Sequence, residues 1–388
     1  MTYGLAALTV IAIWLGLRVA KMVLKFVFFL IAALALVFLA LKILLPRLRF
    51  MKSGVATIIR FSFLIALLIV GCKDYGETLN TQLPPTQRLP FWKQTSLKNK
   101  IVTAFASDSL GSILAAINGA VGSRNLLFRS SDEGENWDSL AYNRNSDVLA
   151  VDRNGVLYSA GFGFIYGSLY RSSDNGVSWT RTNMPSALVT SILFDQSNTM
   201  YVGTGYGDET PGWIQISSDG GQSWRTVSAL HAVSVRSLSM NSQFVFAATG
   251  KGIFRSSDGF TWNRTNNGLT DTLTSSVLSV DNRVVLAGTY RNGIFRSSDN
   301  GNTWTPFSFE EKRVLSLATN SQGRIIAAYV LTPAERVYVS SNAGASWVAD
   351  TSGLTDRTVW TVHVSPNGFV YVGTQNGVFR TTNPLVAQ

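Results

Sequence analysis

The sequence predicts an all-β chain whose main domain is a single seven-bladed β-propeller, preceded by one or more hydrophobic N-terminal helical segments. Three observations carry this prediction. A motif ending in tryptophan recurs at a nearly constant interval, the segments between its copies are rich in Val, Ile, Leu, Tyr and Phe, and nothing after residue 72 has a helical period. A period of about 40 residues with roughly four short strands per repeat is typical of propeller blades.

The motif reads Ser-x-Asp-x-Gly-x-x-Trp and occurs in six copies. Complete copies occupy residues 130–137, 172–179, 217–224 and 297–304. The copy at 340–347 has Asn342 in place of Asp, and the copy at 256–262 is one residue shorter. The tryptophans follow one another at intervals of 42, 45, 38, 42 and 43 residues: Trp137, Trp179, Trp224, Trp262, Trp304 and Trp347.

The residue types of the motif are those of a tight turn. Ser and Asp side chains hydrogen-bond nearby backbone groups, Gly accepts a positive φ, and Trp buries a large apolar surface between neighbouring sheets. We therefore interpret the six tryptophans and the motif carboxylates as structural residues. These carboxylates are Asp132, Asp174, Asp219, Asp258 and Asp299.

The spacing also predicts how the ring closes. One interval back from Trp137 lies Trp92, and one interval beyond Trp347 lies a strand set at residues 359–380 with no tryptophan after it. This gives seven repeats, of which the last lacks its outer strand. Residues 91–96 are expected to supply that strand by pairing with residues 378–381, which would remove the exposed edges of an open sheet.

Within each repeat, four strands are expected. For the fifth repeat the predicted strands are residues 275–280, 284–287, 293–297 and 302–305. An arginine recurs near the end of the third strand, and we expect each one to stack on an aromatic ring or cap a turn in its own blade. These arginines are Arg129, Arg171, Arg255, Arg296 and Arg380.

The motif resembles the Asp-box, or BNR repeat, of sialidases and related β-propellers, and the resemblance covers residues 91–382. In those families the box lies on the face opposite the ligand site, which implies that its aspartates are not catalytic. The regular ring of seven repeats looks most like the photosystem II assembly-factor type. Sialidase catalytic domains have six blades, and the fold alone does not give the function.

The first 90 residues predict three further segments. Residues 1–50 are a hydrophobic membrane-type segment, with an apolar run at 23–45 long enough to span a bilayer. Residues 51–72 resemble a bacterial lipoprotein signal peptide, with Lys52 and Arg60 before an apolar core and Cys72 at its end. Residues 73–90 are a flexible linker rich in Thr, Gln, Pro and Asn, and residues 91–388 form the propeller.

Cys72 is the only cysteine in the chain and is the predicted site of lipid attachment. Two readings of the segment before it remain open. In one, the natural start is Met51 and residues 1–50 are an upstream extension of the reading frame. In the other, residues 22–45 are a genuine membrane helix. Either way we expect a chain in the bacterial cell envelope, anchored to a membrane and facing the periplasm or the cell surface.

The net charge of +10 does not indicate a nucleic-acid binder. Residues 1–72 hold 8 of the 33 Lys and Arg and none of the 23 Asp and Glu, so the remaining chain carries 25 basic against 23 acidic residues, a net of +2. The excess belongs to the membrane-directed leader, where positive flanks set orientation. We expect no nucleic-acid partner, no cofactor, no metal ion and a monomeric state.

Candidate ligand residues lie where repeats differ in length. The loops between second and third strands are longer than the fold needs at about residues 118–125, 161–167, 204–212 and 329–335, and such loops often carry function. The third is the richest, and its candidate ligand-binding residues are Tyr206, Asp208, Glu209 and Trp213. Trp213 lies outside the motif scheme, so ligand stacking and simple packing remain equal alternatives for it.

No complete catalytic set is visible in the sequence, and no catalytic residue is assigned. His231 and His363 are the only histidines, and His363 is expected to pack within an inner strand at residues 359–364. The favoured function is a lipid-anchored, non-enzymatic binding or assembly module for a protein or glycan. The alternative is a glycoside hydrolase of sialidase type, in which the neighbouring carboxylates Asp208 and Glu209 could serve as a pair. That reading requires carboxylates such as these, Glu310 and Glu311 to converge at the central channel.

Lipid attachment at Cys72 is directly testable. Metabolic labelling with palmitate in a bacterial host should mark the wild-type chain and leave Cys72→Ser unlabelled, because the thiol is the acceptor that the signal requires. Equal labelling of both proteins would exclude this anchor.

Overall fold

The computed structural model describes residues 91–385, apart from residues 109, 120–125, 145, 162–167, 206–211, 228–233, 321–322, 324–325, 332–336, 350 and 357. The predicted leader, Cys72 and the linker lie outside these described residues. The elements of the described part are 27 β-strands. None of the residues described in this range forms a helix long and apolar enough to cross a bilayer.

The strands form seven antiparallel sheets, and the first strands of successive sheets contact one another around a closed ring. This is the predicted seven-bladed propeller. The blades are numbered here from the one that begins at residue 101. The first strands, nearest the ring axis, are β2 (Ile101–Ser107), β6 (Val148–Val151), β10 (Val189–Phe194), β14 (Val235–Met240), β18 (Thr274–Ser279), β22 (Arg313–Thr319) and β25 (Val359–Val364).

The remaining strands follow outward in each blade. The second strands are β3 (Ile113–Asn118), β7 (Leu157–Gly161), β11 (Met200–Thr204), β15 (Val245–Thr249), β19 (Val285–Thr289), β23 (Ile326–Leu331) and β26 (Val370–Thr374). The third strands are β4 (Leu127–Ser130), β8 (Ser168–Ser172), β12 (Ile214–Ser217), β16 (Gly252–Ser256), β20 (Ile294–Ser297), β24 (Val337–Ser340) and β27 (Gly377–Thr381). The outer strands are β5 (Asp138–Leu140), β9 (Thr180–Arg181), β13 (Arg225–Val227), β17 (Asn263–Arg264), β21 (Thr305–Ser308) and, in blade 7, β1 (Trp92–Lys98).

Two outer edges differ from the sequence-based expectation. In blade 5 the outer strand begins at Thr305, after the motif tryptophan, whereas residues 302–305 were expected to form it. The reason is that residues 302–304 complete the preceding turn, in which Asn302 N donates to Asp299 O at 3.3 Å. In blade 6 the place of the outer strand is taken by a single bridge between Val339 and Val348.

Close packing between blades depends on small residues in the second strands. A Cβ added to Gly203 would lie 2.7 Å from Val235 of the next blade's first strand. Gly288 faces Val314 at 2.8 Å in the same way, and the ring closes with Gly373 against Val102 at 2.9 Å. Real Cβ atoms do not approach other atoms this closely, so these glycines set the spacing between neighbouring blades.

The N-terminal strand closes the ring as predicted, over slightly different bounds. β1 pairs antiparallel with β27, with Trp92 opposite Thr381 and Gln94 opposite Phe379. Trp92 is only 1% exposed and belongs to the core cluster that joins blades 6 and 7. The last blade therefore takes its outer strand from the start of the propeller.

The meander in each blade gives the ring two unlike faces. Connections between first and second strands and between third and fourth strands lie on one face, called here the turn face, which carries the motif turns at 130–137, 172–179, 217–224, 256–262, 297–304 and 340–347. Connections between second and third strands and the links between blades lie on the opposite face, called here the loop face.

Ring closure through Trp92 should contribute measurably to stability. Trp92→Ala is expected to lower the free energy of unfolding by about 3–5 kcal/mol, since it leaves a cavity at a nearly fully buried position. Ser96→Ala, at an exposed position of the same strand, is the matched control and should change the free energy by less than about 0.5 kcal/mol. Urea unfolding measures both, and equal values for the two variants would contradict this closure.

Candidate functional site

Each motif copy forms one hydrogen-bonded turn between a third strand and the chain that follows it. In blade 2, Ser172 Oγ donates to Asp174 Oδ1 at 2.7 Å and accepts from Gly176 N at 2.8 Å. Asp174 Oδ1 also accepts from Ser178 N at 2.9 Å, and Trp179 Nε1 donates to Gly176 O at 3.2 Å. The motif residues thus bond to one another, which leaves little of them to meet a ligand.

Two consecutive residues of this turn have a left-handed backbone. Asn175 has φ 58° and Gly176 has φ 91°. Asn tolerates this region better than other non-glycine residues, and a side chain at the second position would be strained. Asn300 and Gly301 in blade 5 repeat the pattern, with φ 57° and 82°. The motif glycine is therefore required by backbone geometry.

The motif carboxylates are held ionised by these bonds. The hydroxyl and the backbone N–H of Ser178 lower the pKa of Asp174 to about 2. The same two groups of Ser223 lower the pKa of Asp219, and two backbone N–H groups, from Thr261 and Phe260, lower that of Asp258. A carboxylate with a lowered pKa is a poor proton donor or acceptor near neutral pH, so this geometry suits a structural role.

The recurrent arginines tie neighbouring blades together on the turn face. Arg171 of blade 2 donates to Gly220 O of blade 3 at 3.3 Å, and Arg255 of blade 4 donates to Asn302 Oδ1 of blade 5 at 2.7 Å. Arg380 of blade 7 pairs with Glu135 of blade 1. The expectation of contacts within one blade was therefore incomplete, because three of the five arginines also bond to the next blade.

The stacking part of that expectation agrees with the structure in three blades. The guanidinium carbons of Arg255, Arg296 and Arg380 lie 4.5, 5.4 and 4.3 Å from the ring centres of Phe244, Phe307 and Phe369 of their own blades. Arg129 instead pairs with Asp108 of its own blade at 2.7 Å.

A cavity of about 450 Å³ opens on the turn face where the ends of β2, β6 and β10 meet His363 of β25. His363 Nε2 lies 3.1 Å from Ser107 Oγ, and desolvation lowers the pKa of the imidazole to about 4. The ring is therefore neutral near pH 7. Within the described residues nothing hydrogen-bonds its other ring nitrogen, so the orienting group of a Ser–His nucleophile is missing there.

A second turn-face cavity, of about 580 Å³, lies between blades 3 and 4 and is lined by polar residues that include Gln196, Asn241 and Gln243. Part of its lining is committed to internal bonds: Asn241 Nδ2 donates to Asn300 Oδ1 at 2.8 Å, and Asn300 Nδ2 donates to Gln243 Oε1 at 2.7 Å.

Six of the seven first strands have a β-bulge at the loop face, and the sequence pattern does not predict these bulges. In six first strands one residue near the start has no partner on the second strand, which shifts the register by one. Bulges of this kind often re-aim a side chain next to a functional site. The six bulge residues are Thr103, Thr190, Arg236, Ser275, Leu315 and Trp360.

Four of the bulge residues bond to the next blade. Thr103 Oγ1 donates to Ser146 O at 2.6 Å, and Ser275 Oγ donates to Val314 O at 2.6 Å. Arg236 donates to Thr274 O at 2.8 Å, and Thr190 donates to Val235 O. Leu315 and Trp360 cannot do so through an equivalent hydroxyl, and Trp360 is 54% exposed although it lies on a first strand.

Tyr290 of the loop face lies between two arginines. The guanidinium carbon of Arg236 is 4.9 Å from the ring centre and that of Arg313 is 4.3 Å away. Arg313 makes no ion pair with any described residue. The neighbouring Glu310 and Glu311 are exposed in the link between blades 5 and 6. This side of the loop face therefore offers a cation on an aromatic platform.

A third cavity, also of about 580 Å³, lies on the loop face where blades 7 and 1 meet. It is called here the amide cleft, because four of its lining residues carry side-chain amides: Asn99, Asn118, Gln375 and Asn376.

One of the four ligand-binding residues proposed from the sequence, Trp213, lies in the described part of the chain. Trp213 lies on the loop face, directly before β12, and is 38% exposed. Tyr206, Asp208, Glu209 and His231 lie outside the described residues. The described part of the chain contains no group of three or more His, Cys, Asp or Glu residues able to hold a metal ion.

Sequence reasoning missed Trp360, the six β-bulges and the amide cleft. One signal was present for Trp360: like Trp213, it lies outside the motif scheme. No sequence signal was present for the bulges, because they arise from strand register. None was present for the cleft, because its lining residues come from segments far apart in sequence.

Comparison with known proteins supports the fold. No protein-family profile matches this chain, and no curated protein sequence is significantly similar to it. Solved structures are similar at low sequence identity. YCF48 from Cyanidioschyzon merolae has a TM-score of 0.57 at 15% identity, covering 75% of this chain and 98% of that one.

Two further structures have TM-scores of 0.58. A YCF48 bound to D1 peptide is 14% identical and covers 77% of this chain and 98% of its own. A catalytically inactive virginiamycin B lyase from Staphylococcus aureus with quinupristin is 9% identical and covers 75% and 98%. At such identities the similarity supports the propeller fold and leaves the function open.

The motif turns predict an acid-sensitive fold. The pKa of Asp174 is about 2 in the folded chain, whereas an unfolded Asp titrates near 4. Between about pH 4 and about pH 2 the unfolded state therefore binds more protons than the folded state does. The free energy of unfolding falls as the pH is lowered through that range. Urea unfolding at pH 2–6 should show less dependence on pH for Asp174→Asn.

Asn342, which takes the same place in blade 6, provides the reciprocal variant. It accepts from Ser346 N at 2.9 Å and donates to Ser346 Oγ at 2.9 Å, so an amide already completes this turn. Asn342→Asp should add pH dependence over the same range. Identical pH profiles for the wild type and both variants would contradict the role given to the carboxylates.

Proposed function

We propose that this chain is a lipid-anchored binding or assembly module of the bacterial cell envelope, whose loop face holds a protein or glycan ligand. The observation that carries the proposal is Trp360. A tryptophan on the first strand of a propeller is 54% exposed at a bulge position whose counterparts in four blades bond to the next blade. Exposed aromatic rings with nearby polar groups are typical anchors of binding surfaces.

The contrast between the two faces supports the choice of the loop face. On the turn face, arginine and motif side chains are engaged in bonds within and between blades. Phe260, an exposed aromatic residue of that face, has the guanidinium carbon of Arg225 at 3.9 Å from its ring centre. The loop face presents Trp213, Trp360 and the Arg313–Tyr290 pair instead.

A structure of similar fold has been solved with a peptide ligand. A propeller of this fold, YCF48, has been solved bound to D1 peptide, which is consistent with a protein ligand for a ring of this size. At 14% identity this similarity supports the fold, and the partner of this chain has to be identified by experiment.

Anchoring completes the proposal. A lipidated Cys72 followed by a flexible linker over residues 73–90 would hold the ring near a membrane while allowing it to reorient. A tethered module captures partners at a raised effective concentration, so modest affinity for a single site is sufficient.

The loop-face assignment predicts where a partner cross-links. The photo-reactive amino acid p-benzoylphenylalanine at position 360 or 213 should give cross-linked products in intact cells of the native host, and at position 260 on the turn face it should give none. Products from position 260 alone, or from no position, would contradict the proposal.

A hydrolase would give a different result. Turnover of a chromogenic sialoside or another aryl glycoside that disappears in Asp208→Asn, Glu209→Gln or Glu310→Gln would replace the binding module with the glycoside hydrolase alternative.

A further inference from the structure

The amide cleft has two polar walls and an apolar floor. One wall is the short link between β1 and β2, with Asn99 and Lys100, and the other is the tight turn between β26 and β27, with Gln375 and Asn376. The floor is apolar and consists of Ile101, Ile117 and Leu126. Asn99 N donates to Asn376 O at 2.9 Å, so the two walls are fixed to each other at the backbone.

The amide side chains of this cleft are unused by the fold. Those of Asn99, Asn118, Gln375 and Asn376 make no hydrogen bond to another residue of the described chain. Asn266 at the blade 4 edge of the same face behaves differently: its Nδ2 donates to Lys251 O at 2.8 Å and its Oδ1 accepts from Ile253 N at 2.9 Å. In blade 4 a side-chain amide closes a turn. The four amides at the junction of blades 7 and 1 are not used in this way and remain available to bind a ligand.

The chemistry of the lining favours a neutral, hydroxyl-rich ligand. Each amide presents a donor and an acceptor in one plane, which suits a pair of neighbouring hydroxyl groups. The described lining has one charge, Lys100, and no carboxylate. An apolar floor can pack against the C–H face of a sugar ring, and about 580 Å³ is within the range of small-ligand sites.

A peptide fits this cleft less well. Peptides that bind propellers or sheets through their backbone need a free strand edge. Here the outer edge of β27 is already covered by β1, and the cleft lies at strand ends. The charged aromatic platform around Tyr290, which would suit an anionic group, lies across the ring in blades 4 to 6.

We propose that the amide cleft is a binding subsite for a neutral oligosaccharide. The inference rests on the proposed binding function and deepens it by naming a ligand class and a location. Asn118, at the end of β3, and Gln375, in the turn between β26 and β27, would hold hydroxyl groups of the sugar above Ile101 and Leu126.

Native affinity electrophoresis of the full chain in detergent micelles tests the inference. The gels contain a neutral polysaccharide (dextran, laminarin, mannan or galactan) or an acidic one (polygalacturonate). We expect at least one neutral polymer to retard the wild type. The double variant Asn118→Ala/Gln375→Ala should weaken the apparent affinity about tenfold or more, since two hydrogen-bonding groups are lost.

Gln196→Ala is the matched control, because Gln196 is an exposed amide in the turn-face cavity with no hydrogen bond to a described residue. It should keep wild-type retardation, and thermal unfolding should be unchanged in all variants. Retardation by the neutral polymers that is absent, that survives the double variant or that is lost equally in Gln196→Ala would overturn the inference, as would retardation by the acidic polymer alone. Cross-linking from position 360 in that case would leave the binding module standing without its sugar subsite.

Discussion

The pairing of β1 with β27 is the contact on which the ring depends. The first and last strands of the propeller lie almost 290 residues apart in sequence, yet Trp92 stands opposite Thr381 in one antiparallel ladder. Without it, blade 7 would end in an unpaired strand, and unpaired edges invite aggregation. The pairing also brings the links on either side of it together, so the junction between blades 7 and 1 is built from both ends of the domain.

The two faces of the ring hold neighbouring blades together through different contacts. On the turn face, the motif side chains hydrogen-bond nearby backbone groups, and Arg171, Arg255 and Arg380 each bond to the following blade. On the loop face, polar side chains at four of the bulges make that connection from within the first strands. Where such a side chain is Thr or Ser, the polar group is used up internally. Where it is Trp360, there is no hydroxyl to make that bond, and the indole ring is 54% exposed.

The repeating features were predictable from the sequence because each is local. Ser172, Asp174, Gly176 and Trp179 lie within eight residues, so their spacing reveals the turn, and the period of the tryptophans counts the blades. The reach of Arg255 into blade 5 was not predictable, because the partner Asn302 is 47 residues away. The bulge at Trp360 depends on strand register, and the amide cleft joins Asn99, Asn118 and Gln375, which no local pattern connects. Fold class was therefore accessible, and the candidate site was accessible only at Trp213.

The junction of blades 7 and 1 explains why the cleft can stay open. This junction is secured on the turn face: Glu135 pairs with Lys93 and Arg380, and Glu133 accepts from the hydroxyl of Tyr371 at 2.8 Å and from Asn367. An exposed ion pair contributes at most about 1 kcal/mol, but Arg380 is buried and several groups converge on one turn. With the covering strand β1 added, the blades hold together without a bulge bond on the loop face. Trp360 and the four amide side chains lie at this junction, which the β1–β27 pairing and the turn-face contacts hold together without them.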